Sequence, residues 1–298
     1  MGAIHRLMDR VRGTTSPGER EKLAVAVVER AEPPAYSHRH FSQHKGPLLE
    51  VKGIHKSFGG VRAIDDVDMK VDAGSIHALI GPNGSGKTTM LNLVSGFYTV
   101  DGGSIEFGGQ RIVETSPHRT ARLGIARTFQ TPKVLGGSTV LENVMLGLFM
   151  HGRSGLVRTI FRVPPASAEE KAVRSKALEW LQFVGLAHRQ NELAKNLPHG
   201  QQRFLEMARA MASEPYLLLL DEPAAGLSHE EIARLDDIIT KVRGLGCTVL
   251  LVEHHVNLVM KISDRITVLD YGAKIAEGTP DEVRSSPEVI RAYLGDKV

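Results

Sequence analysis

The sequence predicts an α/β fold with a mainly parallel core sheet. Three observations carry that expectation. Short aliphatic runs without polar alternation, such as Leu217–Leu220 and Val249–Val252, are what strands buried on both faces look like. Such runs alternate with helical patterns through the C-terminal third, as βαβ units do. A glycine-rich loop, Gly81-Pro82-Asn83-Gly84-Ser85-Gly86-Lys87-Thr88, stands between a short apolar strand and a helix, the context of a phosphate loop.

Length and composition fit this class. The chain has 298 residues, 42% hydrophobic and 24% charged, enough for one large domain, or a domain plus a subdomain, with a packed core. Its aliphatic runs fall far short of the roughly 20 residues of a membrane helix. No charged-then-apolar leader opens the chain, and the single cysteine, Cys247, leaves no internal disulfide and fits a reducing cytoplasm. The net charge of +3 falls entirely within residues 1–45, which hold eight Lys/Arg against five Asp/Glu; the rest holds 29 of each. A neutral body argues against a nucleic-acid backbone as partner.

In chain order, residues 1–45 read as an extension. Ile4, Leu7, Met8 and Val11 share a helical face. Ser16-Pro17-Gly18-Glu19 reads as a capping box with proline at the first helical position, opening a short helix through Val28 that Pro33-Pro34 ends. Two readings stay open: a poorly ordered tail, or a basic amphipathic segment against lipid or a membrane partner. His38, His40 and His44 lie in the polar linker that follows.

Leu49, Val51 and Ile54, then Val61, Ile64, Val67, Met69 and Val71, alternate as strands around a Gly59-Gly60 turn. Ser75–Ile80 is a short apolar strand, and Ser104–Phe107 before Gly108-Gly109 suggests another hairpin. Residues 138–212 are helical. Thr139/Glu142 and Ser167/Glu170 are capping boxes, and Ala177, Trp180, Leu181 and Val184 form one face before Gly185. At helical spacing Trp180 reads as core. Strands at Tyr216–Leu220, Cys247–Val252 and Ile266–Leu269 then alternate with helices at Glu230–Arg243 and His255–Ile262.

The chemistry starts at the phosphate loop. Its glycines let main-chain N–H groups turn inward around phosphate oxygens, and the following helix adds its positive end. Lys87 supplies a charge to the β- and γ-phosphates, and Thr88 a hydroxyl to Mg²⁺. Four leucines precede Asp221-Glu222. An acid at the end of a buried strand beside such a loop suits Mg²⁺, the role expected of Asp221. Glu222 stands where a general base could polarise the attacking water. The guanine reader Asn-Lys-x-Asp does not occur. On the phosphate loop alone, a metabolite kinase stays open.

Over about residues 48–298 the chain resembles the ABC transporter ATPases. The signature loop of that family is matched by Leu197-Pro198-His199-Gly200-Gln201, in which Pro198 and His199 replace a serine and a glycine. The resemblance implies a P-loop NTPase ABC ATPase fold with an N-terminal antiparallel β-subdomain and an inserted α-helical subdomain at about 131–212. It implies an ATPase domain at 46–298 behind the extension 1–45, and it implies dimerisation. It places Phe58 on adenine, adds Thr89 to the phosphate-binding set, and sets Gly200 and Gln201 over the ATP of a partner subunit. Gln130, ending Ala126-Arg127-Thr128-Phe129-Gln130, matches a glutamine that reaches Mg²⁺. His254 matches the γ-phosphate-sensing histidine. Ala225-Gly226-Leu227-Ser228 matches the inter-subunit loop, with serine where aspartate is common.

Gly200-Gln201-Gln202-Arg203 with Glu222-Pro223-Ala224-Ala225-Gly226-Leu227, the long segment 148–170 and the ending Gly278-Thr279-Pro280 with Val289–Gly295 look like the ATPases of branched-chain amino acid importers. That branch implies ATP and Mg²⁺ as cofactors, two permease subunits, and a second ATPase subunit that is identical or homologous. A periplasmic substrate-binding protein would act indirectly, with the ATPase peripheral on the cytoplasmic face of the inner membrane. The alternative is an ABC ATPase without a permease, acting on ribosome or DNA. Such proteins carry tandem ATPase units or a long coiled coil, and this chain has one phosphate loop and no long heptad run.

Overall fold

Strand alternation sets the first layer. In the computed structural model, which describes Pro34 and residues 46–112, 116–149 and 167–294, β1 (Pro47–Phe58) and β2 (Val61–Asp72) pair antiparallel with Leu49 opposite Val71 and Val51 opposite Met69. β4 (Gly102–Phe107) pairs with the other edge of β1, and β5 (Gln110–Arg111) follows it, giving a sheet of order β2-β1-β4-β5. β3 (Ile76–Ile80) instead enters a second sheet, with β6 (Ile125–Arg127), β7 (Leu217–Asp221), β8 (Thr248–Val252), β9 (Arg265–Asp270) and β10 (Ala273–Gly278). The order is β10-β9-β3-β8-β7-β6, parallel except for the edge strand β10.

Period-2 alternation divides the leucines of β7 between two cores. Leu217 and Leu219 join the inner face of the antiparallel sheet and Met90, Leu91 and Val94 of α1 (Lys87–Val94). Leu218 and Leu220 face a second core. That core takes Leu235, Ile238 and Ile239 of α6 (His229–Gly244) together with the helices inserted between β6 and β7. After the short α2 (Pro117–Arg122), these inserted helices are α3 (Val140–Phe149), α4 (Ser167–Phe183) and α5 (His199–Ala212). Trp180 is fully buried among them, edge-to-face with Phe183 at 5.5 Å. Burying such a side chain contributes about 2–3 kcal/mol. The Thr139/Glu142 capping box forms: Thr139 N–H donates to Glu142 Oε2 at 2.7 Å and Glu142 N–H to Thr139 Oγ1 at 3.2 Å.

Beyond β8 come α7 (Val256–Ile262), α8 (Pro280–Ser285) and α9 (Pro287–Leu294). α8 opens with a capping box of Thr279 and Glu282, a signal present in the sequence as Thr279-Pro280-Asp281-Glu282. β6, β10 and α2 were not anticipated. The three-residue β6 and the polar edge strand β10 carry too little apolar pattern to announce themselves. The expected helices and linker within residues 1–45, and most of segment 148–170, lie outside the described residues. Among the described residues no helix is long and apolar enough to cross a membrane.

One buried polar group links the core to pH. His77 in β3 is fully buried. Its Nε2 lies 2.8 Å from Thr267 Oγ1 of β9, and its Nδ1 has no partner. Burial pushes its pKa from 6.5 down to about 4, so the ring is neutral in the folded chain. An unfolded chain takes up that proton near its ordinary value, so stability is lost as pH falls through the window between the two values. The full loss is about 3 kcal/mol. Urea unfolding of His77→Gln, which keeps a partner for Thr267, should show a correspondingly flatter fall in stability on acidification than the wild type.

Candidate active site

The carboxyl ends of four parallel strands meet at one edge, where loops of an α/β sheet gather their functional groups. The loop after β3 is the phosphate loop. Two of its glycines are sterically required. A Cβ on Gly81 would lie 2.0 Å from Leu269 O, and one on Gly86, at φ +103°, would lie 2.5 Å from Ala63 O. The loop is thus pressed between β9 and β2. α1 begins at Lys87 with no side-chain cap and no acid in its first turn, leaving its amides and dipole free for an anion. Lys87 Nζ donates to the carbonyls of Gly81 and Pro82 at 2.8 Å each. Burial lowers the Lys87 pKa, against the opposing pull of Glu222 and Asp221. Asn83, Gly84 and Thr88 are exposed, Pro82 and Thr89 are half-buried, and Ser85 is buried.

The predicted reactive groups converge beside this loop. Glu222 follows β7 with a left-handed φ of +47°, an uncommon conformation for a non-glycine residue that marks local constraint. Its N–H donates to Val252 O at 2.8 Å. Gln130 Nε2 donates to Glu222 Oε2 at 2.7 Å, and His254 Nδ1 lies 3.9 Å from the same oxygen. That second distance is too long for a hydrogen bond, so the imidazole is adjacent but free to turn.

Asp221 sits one residue earlier and is buried. Its Oδ2 accepts from Arg127 Nη2 at 2.9 Å. Arg127 also donates through Nη1 to Asn92 Oδ1 at 2.7 Å and Ser95 Oγ at 2.9 Å, with its guanidinium 5.6 Å from the Phe97 ring and 5.1 Å from that of Phe129. Burial raises the Asp221 pKa, and the Arg127 hydrogen bond opposes the rise. The sequence reading quoted Arg127 within its motif but gave it no role.

Arg203 likewise stood in a motif without a role, and Glu206 and Glu253 were missed; all three are buried. Arg203 Nη1 donates to Glu222 O at 3.0 Å and its Nη2 to Gln130 O at 2.8 Å. One turn on, Glu206 accepts from Lys133 N–H at 2.9 Å and Phe129 N–H at 3.4 Å. Helix α5 thereby grips the loop that carries Gln130. A charged pair at i,i+3 on a helix behind two polar loops was the available signal.

Phe58, Gly200 and Gln201 are not joined to this cluster by any hydrogen bond among the described residues. Phe58 ends β1, 42% exposed, edge-on to Tyr98 at 5.1 Å. Pro198 is the N-cap of α5 and offers no side-chain bond. A Cβ on Gly200 would lie 2.1 Å from Glu231 Oε1 and 3.0 Å from Leu227 Cδ2. Glycine here lets α5 meet the start of α6. Gln201 Oε1 is buried with no partner. Ser228 caps α6 in a reciprocal box with Glu231, a physical reason for serine at that position.

Breaking the Arg127–Asp221 pair leaves a buried carboxylate uncompensated, which costs about 3–5 kcal/mol. Arg127→Met should therefore destabilise the chain by that amount in chemical denaturation. Arg127→Met combined with Asp221→Asn should recover a large part of it.

Comparison with known proteins agrees with this geometry. A family model described as ABC transporter matches residues 64–225, and one described as Branched-chain amino acid ATP-binding cassette transporter matches residues 273–298. The high-affinity branched-chain amino acid transport ATP-binding protein BraF of Pseudomonas aeruginosa is 42% identical over 251 residues, covering 84% of this chain and 98% of the relative. LivG of Escherichia coli K12, described in the same words, is 41% identical with the same coverage. Among solved structures, a nucleotide-free ATP-binding cassette from an ABC transporter is 33% identical, with a TM-score of 0.73 over 84% of this chain and all of that one. An ADP-bound cassette is 33% identical, with a TM-score of 0.72 over 84% of this chain and 99% of that one. A phosphate loop at the end of a buried strand, two acids at the end of another, and relatives matched along nearly their whole length lead to one conclusion: the chain belongs to the ATP-binding proteins of ABC transporters, in their branched-chain amino acid branch.

Proposed function

We propose that this ATPase energises uptake of branched-chain amino acids, or of a related small solute, through separate permease subunits. The observation that carries the reading is the convergence of Glu222, Gln130 and His254 beside the phosphate loop, in a chain whose relatives are amino acid transport ATP-binding proteins over almost their full length.

ATP lies with its adenine against Phe58 and its phosphates in the Gly81–Thr89 cradle. Lys87 exchanges its two loop carbonyls for phosphate oxygens, to which its ammonium offers the opposite charge. Oxygen donors suit Mg²⁺, and three stand together in function: the exposed Thr88 hydroxyl, the Asp221 carboxylate, and the Gln130 carbonyl, which remains an acceptor while its amide nitrogen serves Glu222. When bound there, the ion neutralises phosphate charge. Glu222 accepts a proton from the attacking water, leaving ADP and phosphate. His254 contacts the γ-phosphate from the neighbouring strand end.

A second subunit, identical or homologous, supplies its own Gly200, Gln201 and α5 N-terminus over this ATP. The first turn of α5 itself carries no acid, although the Glu231 carboxylate of α6 packs against Gly200. The permease, a pair of subunits in the inner membrane, docks on its cytoplasmic face along Thr131–Leu135. Leu135 there is 48% exposed, and Phe97 nearby 49%. A periplasmic binding protein selects the solute. Removal of the γ-phosphate releases the closed pair, a two-state switch.

Glu222→Gln should bind nucleotide normally, lose roughly 10²-fold or more in hydrolysis, and accumulate a nucleotide-bound dimer, whereas Lys87→Ala should weaken binding itself. Hydrolysis and size-exclusion measurements on the two variants separate the roles. In proteoliposomes with the co-purified membrane subunits, hydrolysis should rise when the binding protein is loaded with leucine. Absence of any co-purifying membrane subunit would overturn the transport reading.

A further inference from the structure

Glu253 is buried without any exposure, immediately after β8 and immediately before His254. Its Oε1 accepts from Ala224 N–H at 2.7 Å, and its Oε2 accepts from the N–H groups of His254 and His255 at 3.0 Å each. One carboxylate therefore joins two loops, with Glu222 two residues before one anchor and His254 itself the other. The main chain makes a second stitch, from Glu222 N–H to Val252 O at 2.8 Å. A buried carboxylate is retained at a cost that only good hydrogen bonds offset, and all three donors here are backbone amides of the two loops.

We propose that Glu253 is the positioning residue that sets Glu222 against His254 for hydrolysis. It touches no reacting atom. It acts by fixing the backbone on both sides of the 3.9 Å gap between Glu222 Oε2 and His254 Nδ1. Displacements near an ångström at such a site lower rates by roughly 10²-fold. The proposal rests on the reading of Glu222 as base and His254 as phosphate contact.

The chemistry of the anchor makes it testable. A carboxylate is acceptor-only, whereas an amide presents a donor at one of its two ends. Glu253→Gln keeps the volume but sets an NH₂ against an N–H, so one loop loses its anchor. Glu253→Asp keeps the charge but is one methylene too short to hold both loops. In the full chain, assayed below its melting temperature, we expect both variants to lower kcat by about 10- to 100-fold while binding of a fluorescent ATP analogue changes little; the melting temperature itself falls with the lost buried hydrogen bonds. Because Glu253 acts through His254, Glu253→Gln added to His254→Ala should cost much less than it does alone, as coupled sites do.

Wild-type kcat in both Glu253 variants would overturn the proposal. So would a loss that multiplies fully with that of His254→Ala, or nucleotide affinity falling in step with kcat, the mark of a scaffold residue. Wild-type rates in Glu222→Gln and His254→Ala would instead sink the underlying reading. Full losses there with none in the Glu253 variants sink the positioning role alone.

Discussion

The guanidinium of Arg203 is the contact on which the site depends. It donates to the carbonyl of Glu222 on one side and of Gln130 on the other. Those residues are 92 positions apart in sequence and leave different strands, yet their side chains meet at 2.7 Å. Neither loop has regular structure at that point, so backbone groups that would have bonded within a strand need another partner. Burial lowers the Arg203 pKa, and Glu206, Glu253 and Glu222 oppose that fall. The charge stays in place because acids surround it.

Helix α5 thereby becomes more than a packed element. Its N-terminus carries Gly200 and Gln201, and its next turn carries Arg203 and Glu206, which hold the loop from Phe129 to Lys133. One helix therefore carries Gly200 and Gln201 at its end and, along its side, the bonds that hold Gln130 and Glu222 in place. Glu206, buried and with its pKa raised by that burial, is held by two backbone N–H donors. Glu253 does the same for the loops after β7 and β8.

Much of this was legible beforehand because it depends on local pattern. The phosphate loop, the leucine strand into Asp221-Glu222 and the capping box at Thr139 are short-range signals, and each falls where expected. Glu222 was legible from that strand, whereas Gln130 and His254 were reachable only through resemblance to a known family. The supporting charges were not reachable. Arg127, Arg203 and Glu253 act through bonds to residues 94, 73 and 29 positions away, and no periodicity encodes such partners. In the sequence Arg127 stood only as one residue of the stretch Ala126–Gln130. Only burial shows that it faces Asp221 between two phenyl rings.

The contact between Gly200 and Glu231 has a wider consequence. Glu231 completes the cap of α6 with one carboxylate oxygen, while the other lies where a side chain on residue 200 would have to go. The loop before α5 and the loop before α6 are therefore a matched pair, each shaped to the other's surface. Exchanging either one alone with a related ATPase would put an aspartate cap or a bulkier loop against a partner cut for serine and glycine. A change in residues 197–201 or in 225–231 therefore has to be accommodated by the other loop.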